Sequence, residues 1–463
     1  MRPSPLNANL IAAAIAAMFA ADAAPAAEAP ASPPLIALHC ARLIDTEAGK
    51  LLGETTIVID GKRIKEIRVG HADVAGAQSI DLVNQTCLPG LIDSHVHLTM
   101  LISPSYYSDQ FRWNAADYAI RSTVYAQRTL MAGFTTVRNV ADNNYDSVAL
   151  RNAINAGIVP GPRIYTAGTA IGSTGGHADF TDGYRHDLEG DHGAQEGIIN
   201  SPEDAWKAVR QHYKQGADLI KIMPSGGVLD ESSSADNAQL TIPEIQAVVA
   251  AAHDYGFTVA AHAHGAEGIR RAVIGGVDSI EHGTFLDDAD MKLMKEHGTW
   301  LVPTIIAGKY VEEKANIPGY YPPQVVVKAR QVGPIIQATA GKAYKAGVKI
   351  AFGTDAAVYP HGENAKEFKY MVDAGMPTMF VIQTATTHAA QLLKHEKDIG
   401  SITVGKFADV IAVPGNPLDD ITLMQKVNFV MKEGVVYTAE STSPTAVAEA
   451  AQTTASPEEL EGF

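Results

Sequence analysis

The chain has 463 residues, 46% hydrophobic and 40 of them glycine, a make-up that suits a globular protein with many turns and excludes a disordered one. The formal charge of −16 argues against nucleic acid or an anionic membrane surface as partner. The length is too great for one small domain and fits one large barrel plus an accessory unit.

In chain order, residues 1–26 read as a secretory signal. Arg2 supplies a thin positive start, 10–21 is an apolar run, and Ala21, Ala23 and Ala26 offer small-residue cleavage sites. That run is shorter than the ~20 residues a membrane span needs, so export to the periplasm or outside the cell is the expectation, with no membrane attachment after cleavage. The Ala/Pro-rich stretch up to Pro34 reads as a linker. In an exported chain Cys40 and Cys87 are free to pair, yet two cysteines make no disulfide framework, and two unpaired buried thiols are expected.

Residues 35–88 read as short strands at 35–40, 56–59 and 63–67, with Gly61-Lys62 and Gly70 as turns. The same texture returns at 408–413, 427–432 and 435–437. Pieces 35–88 and 399–438 are therefore expected to build one small β-sandwich from both ends of the chain. Between them, 89–398 alternates strand and helix signals, with strands at 90–97, 133–140, 162–168, 217–223, 257–263, 278–282, 299–305 and 348–354. Helical patterns lie between most of these, 242–255 among them, and 365–374 follows the last. Eight alternating units predict a (β/α)8 TIM barrel, in which chemistry sits at the C-terminal ends of the strands. Residues 439–463 read as a disordered acidic tail, in which 440–463 holds five glutamates and no lysine or arginine.

The chemistry-bearing residues close those barrel strands. Lys221 ends the apolar run Ala217-Asp218-Leu219-Ile220-Lys221-Ile222-Met223, where an ammonium ion is costly unless paired or neutralised. His95 and His97 share a strand face, so both imidazoles can reach one metal ion. His262 and His264 repeat the spacing, and either one could be a ligand. His282 ends another strand with Glu281 expected to face the other side, and Asp355 tips the last. Each alone has an ordinary structural reading as a satisfied core residue. On five strands of one barrel, coincidence is the poorer explanation.

Leu88-Pro89-Gly90-Leu91-Ile92-Asp93-Ser94-His95-Val96-His97 and Gly133-Phe134-Thr135-Thr136-Val137-Arg138 resemble the metal-dependent amidohydrolase superfamily. Ala260-Ala261-His262-Ala263-His264-Gly265, Ser279-Ile280-Glu281-His282-Gly283 and Gly400-Ser401-Ile402-Thr403-Val404-Gly405-Lys406-Phe407-Ala408-Asp409 extend the likeness, which covers nearly all of 35–438. Within it the chain is most similar to the imidazolonepropionase-like and Xaa-Pro dipeptidase-like branch and to ochratoxin-hydrolysing amidohydrolases. The resemblance implies two divalent metal ions, with His95 and His97 on the more buried one and His262, rather than His264, with His282 on the second. It implies that Lys221, carboxylated by carbon dioxide, bridges them, and that Asp355 binds metal and handles protons. Zinc is the expected metal from imidazole-plus-oxygen ligands.

The expected activity is hydrolysis of an amide bond in dipeptides or N-acyl amino acids, ochratoxin A included. Water activated by the metals attacks, and Asp355 shuttles the proton to the leaving nitrogen. The resemblance implies that His177, in Ser173-Thr174-Gly175-Gly176-His177, holds or polarises the substrate carbonyl. Val228 and Leu229 are candidates for an apolar wall, and His361 is a further candidate contact. Arg270 and Arg271 suit a solvated helix face as well as a substrate carboxylate. The alternatives are a cyclic-amide or lactone hydrolase of imidazolonepropionase type, which Lys221 disfavours, and a non-catalytic metal-binding protein, which Asp355 disfavours. A small-molecule amide is the expected partner, and the family suggests a homo-oligomer.

Overall fold

The computed structural model describes residues 35–230 and 234–439; the expected export signal and the tail from 440 onward lie outside the described residues. Five strands open the described chain: β1 (Ile36–Asp45), β2 (Lys50–Leu52), β3 (Thr55–Asp60), β4 (Arg63–Val69) and β5 (Gln78–Pro89). Three close it: β14 (Val410–Pro414), β15 (Phe429–Lys432) and β16 (Val435–Ala439). They form one eight-stranded sheet in the order β16-β15-β14-β5-β1-β3-β4, with β2 on β1, so both ends of the described chain share a sheet. Its apolar side chains, among them Leu38, Ile57, Ile59, Leu82, Val410 and Phe429, make a core of their own. Strand β5 escapes a sequence reading because its first half mixes exposed polar residues with Ile80, Leu82 and Val83 without a clean alternation, and Asn84 breaks it at φ 63°.

Cys40 and Cys87 are joined in a disulfide, contrary to the expected pair of free thiols. The reason is register. β1 and β5 run side by side in parallel, placing Leu43 opposite Cys87, and an irregularity between Cys40 and Arg42 brings the two Cα atoms to 5.8 Å.

The middle of the chain supplies eight short strands: β6 (Leu91–Val96), β7 (Phe134–Asn139), β8 (Arg163–Thr166), β9 (Ile220–Ile222), β10 (Val259–Ala263), β11 (Ser279–His282), β12 (Trp300–Val302) and β13 (Lys349–Ile350). All pair in parallel, as a three-stranded sheet β6-β7-β8 and a five-stranded sheet β9-β10-β11-β12-β13. Single parallel bridges, Ile171 to Ile222 and Val96 to Ala356, join the two sheets at both edges. Helices fill the intervals, and the expected ones at 242–255 and 365–374 are found as Ile242–Asp254 and Lys366–Asp373. Thr241 and Glu244 cap the first reciprocally.

Several strands are shorter than the sequence suggests because the chain bends early to build loops. At 299–305 the strand stops at Val302, Thr304 takes φ 48°, and a helix starts at Ile305. After β13, Gly353 passes so near β6 that a Cβ there would lie 2.2 Å from Val302 Cγ1 and 3.0 Å from His95 Cβ. Among the described residues no helix is long and apolar enough to cross a membrane.

Candidate active site

Strand alternation carries His95, at the end of β6, and His97, just beyond it, towards the same side. Asp355 reaches them because its backbone N–H donates to His95 O at 2.7 Å. Its Oδ1 then lies 3.2 Å from His97 Nε2 and 3.5 Å from His95 Nε2. His262 on β10, His264 just past it and His282 at the end of β11 form a second group. Within each group the candidate ligand atoms all lie within 4.8 Å of one another, and each group could hold a metal ion. The rings of His95 and His282 are 4.9 Å apart, so the groups adjoin. Lys221, in register with Ala260 on the neighbouring strand, lines the same cavity of about 620 Å³, as do His177, Val228 and Leu229.

Both His262 and His264 belong to the second group, so the arrangement does not choose between them. His361 is not among the cavity residues. It is buried behind Met100, donating from Nε2 to Met100 O at 2.9 Å and stacking on Tyr125. Arg270 and Arg271 also stay out of the cavity and pair with Glu267 on their own helix.

The outer nitrogen of each imidazole has a partner. His95 Nδ1 meets Glu281 Oε2 at 2.7 Å, and His97 Nδ1 donates to Ala141 O at 2.9 Å. His264 Nδ1 meets Thr284 Oγ1 at 2.8 Å, and His282 Nδ1 meets Thr304 Oγ1 at 2.7 Å. His262 is reversed, its Nε2 donating to Gly226 O at 3.1 Å. A carbonyl or carboxylate partner fixes the tautomer of His95, His97 and His262 and leaves the other nitrogen as a lone-pair donor, the usual state of a metal-bound histidine, whereas the threonine hydroxyls beside His264 and His282 can donate or accept. Burial first, and neighbouring positive groups after it, lower the pKa of His95 to about 4 and of His264 to about 3, and hold His262 and His282 well below the usual imidazole value. They stay neutral, as ligation requires. Lys221 is lowered to about 8, where burial outweighs Glu281 and Asp355. Burial would raise Asp355, but His95 and His97 beside it hold it well below the usual carboxylate range. The donor set therefore fits divalent ions: neutral nitrogens, one ionised carboxylate and a lysine with reduced proton affinity.

The sequence reading turned Glu281 away from the site, and the structure corrects this. Glu281 and Ser279, two apart on β11, share the inward face, where Ser279 Oγ donates to Glu281 Oε1 at 2.5 Å. It is His282 that departs from alternation, at φ 69°, which brings its ring to the same side. Arg138 completes the network, with Nη2 2.8 Å from Glu281 Oε1 and Nε donating to Ser94 O at 2.5 Å. His282, Thr304 and Asp355 all sit at positive φ, strain of a kind that collects at functional sites and leaves no trace in residue type. The structure adds Asp230 as well, whose Oδ2 is 2.8 Å from Nδ1 of His177. Aromatic side chains including Tyr106, Tyr107, Phe111, Phe180 and Tyr184 line the cavity further out.

Parallel βα units, with histidines and an aspartate gathered at the C-terminal ends of the strands, define a hydrolase site of metal-ligating type. The model of the amidohydrolase family matches residues 86–437, and the chain belongs to that family. Ochratoxinase of Aspergillus niger is 30% identical over 383 residues, 77% of this chain and 76% of the relative. A solved Xaa-Pro dipeptidase with methionine bound in its active site matches at 48% identity and a TM-score of 0.85, over 88% of this chain and 100% of that one. A prolidase solved with N-methylphosphonate-L-proline matches at 32% identity and a TM-score of 0.81, over 88% and 100%. The chain is accordingly a hydrolase acting on amide bonds in small molecules, in a family whose members typically bind divalent metals.

Proposed function

We propose that this chain is a two-metal hydrolase that cleaves the amide bond of dipeptides or N-acyl amino acids and releases the C-terminal amino acid. The observation that carries this reading is the adjacency of the two ligand groups, with Lys221 and Asp355 lining the same cavity beneath apolar walls. Relatives named as a dipeptidase, a prolidase and an ochratoxinase support the same bond type. Ochratoxin A, an aromatic acyl group joined by an amide to phenylalanine, suits a cavity walled by aromatic residues.

On this reading His95, His97 and Asp355 would hold one ion, zinc by preference, and His262 and His282 a second. Bound there, the ions would supply Lewis-acid polarisation of the carbonyl and an acidified water. Lys221 would join both sides as a carbamate: its ammonium gives up one proton, and the free amine nitrogen bonds to the carbon of carbon dioxide and gives up a second, turning a buried cation into an anion with two oxygens. Asp355, ionised at neutral pH, accepts the proton of the attacking water and gives it to the amide nitrogen as the C–N bond breaks. His177 holds the substrate carbonyl, and Val228 and Leu229 pack against the side chain.

The eight parallel strands are read as one (β/α)8 barrel over 89–398. The eight-stranded sheet with its separate core is read as a small β-sandwich from 35–88 and 399–438. Residues 1–26 are proposed to direct export to the periplasm or beyond, and a mature protein beginning at Met1 would contradict that.

A panel of dipeptides and N-acyl amino acids, including ochratoxin A, tests the activity. Release of the C-terminal amino acid, abolished by a chelator and restored by zinc, is expected. Turnover that persists in chelator, or hydrolysis confined to cyclic amides, would overturn the reading.

A further inference from the structure

Lys328 lies in Val325-Val326-Val327-Lys328-Ala329, as apolar a setting as that of Lys221, and it is 7% exposed. It belongs to the long helix Pro323–Ala346 and is not itself a cavity residue, whereas Val332 and Ile336, one and two turns further on the same face, line the cavity. Its ammonium group grips the loop that follows β9. Nζ donates to Gly227 O at 2.9 Å, to Asp230 O at 2.7 Å and to Asp230 Oδ1 at 2.5 Å. The loop that follows β9 is thus clamped at both ends, and the two residues between the clamps, Val228 and Leu229, are cavity wall.

Asp230 passes the constraint on. Its Oδ2 accepts from Gly227 N–H at 3.0 Å and meets His177 Nδ1 at 2.8 Å. The carboxylate is therefore held from one side by Lys328 while it holds the imidazole from the other. The ring is also seated by shape. A Cβ on Gly227 would come within 2.0 Å of His177 Cε1 and 2.2 Å of Nδ1, so the imidazole lies flat on bare backbone. On its other flank the ring is 4.4 Å from that of His262. With Nδ1 committed to Asp230, only Nε2 is left for a substrate.

We propose that Lys328 is a positioning residue that acts through Asp230 to fix the orientation and tautomer of His177 and, through the same clamp, the Val228–Leu229 wall. The proposal rests on the reading of His177 as a substrate contact. An apolar residue at 328 would leave the Asp230 carboxylate without its cation, the loop without its clamp and the His177 ring free to turn. Misplacing a contact by about 1 Å costs on the order of 100-fold in rate.

The test compares Lys328→Met, Lys328→Arg, His177→Ala and the Lys328→Met/His177→Ala double variant on the best substrate of the amide panel, with metal content and folding checked in each. Lys328→Met is expected to lower kcat/KM by roughly 100-fold at unchanged metal content. Lys328→Arg should recover most of the loss, and Lys328→Met should cost clearly less in the His177→Ala background, keeping only the share that acts through the Val228–Leu229 wall. Equal losses in both backgrounds would overturn the proposal, since they would make Lys328 a general structural support. A second arm needs no turnover and serves if Lys328→Met folds poorly or if no amide in the panel is cleaved. Proton–nitrogen correlation spectra of the histidine rings should show His177 as a single Nδ1–H tautomer in the wild type and in Lys328→Arg, and averaged tautomers in Asp230→Asn. An unchanged His177 signal in Asp230→Asn would overturn the proposal, whereas a panel with no substrate would count against the amide reading alone.

Discussion

Glu281 is fully buried and serves both Arg138 and His95, so removing its charge strands a guanidinium where no water can reach it. Burial alone would raise its pKa, yet Arg138 and His95 hold it down to about 2, which marks an ionised carboxylate at any working pH. Glu281→Gln is expected to weaken metal binding about 10- to 100-fold through His95. It is also expected to lower stability by about 3–5 kcal/mol, as when one partner of a buried pair is lost. Metal titration and denaturant unfolding of the variant check both, and a change in neither would remove Glu281 from the site. Lys221→Ala tests the carbamate more directly. Activity should fall by at least about 1,000-fold and return in part with added short carboxylates, whereas full activity with intact metal content would sink the carbamate. His361 gives a prediction of the opposite kind, about stability and not catalysis. Burial lowers its pKa from 6.5 to about 4, so between those values the unfolded chain binds a proton that the folded one refuses. The stability this supplies is present above pH 6.5 and is lost as pH falls towards 4. His361→Phe should lose less over that window than the wild type, by on the order of 3 kcal/mol. Unfolding curves at pH 7 and pH 4 measure the difference, and equal losses would refute it.

Elements decide which side chains meet, and here the legible and illegible parts of the sequence separate. His95, His97, Lys221, His262, His282 and Asp355 could be singled out because each closes an apolar run, and the ends of parallel strands bring all six to one cavity. The role of Glu281 could not, since a two-residue alternation counted from His282 fails when His282 itself adopts φ 69°. His361 follows the same strand end as Asp355, but its loop turns it behind Met100. Lys328 did carry a signal, a lysine inside a valine run, although helix periodicity alone cannot say which loop the helix crosses. The disulfide was hidden in pairing: β5 is weakly patterned, and only its parallel pairing with β1, broken by a register shift between Cys40 and Arg42, brings Cys87 near Cys40. The bond closes a loop with 47 residues of separation, so replacing both cysteines by serine should lower stability by about 2–4 kcal/mol. The loss should fall on the sheet built from both chain ends, with the catalytic strands affected only through it. Thermal unfolding of the double variant alongside reduced wild type checks this, and a melting temperature unchanged in both would make the bond energetically idle.

At the scale of the whole molecule, the two ends of the described chain share one sheet with its own core, while the middle devotes the ends of its strands to a single cavity. The strands around that cavity sit in the largest core, which packs about β9 and its buried Lys221. The family membership gives the bond that is cut, and the cavity walls give the character of what is attached to it. The proposed pair of metal ions, joined through Lys221, predicts a stoichiometry. Metal-free protein, supplied with bicarbonate and titrated with zinc while release of the C-terminal amino acid from the best panel substrate is followed, should gain activity up to two equivalents and then plateau. A plateau at one equivalent, or turnover before any metal is added, would contradict the account.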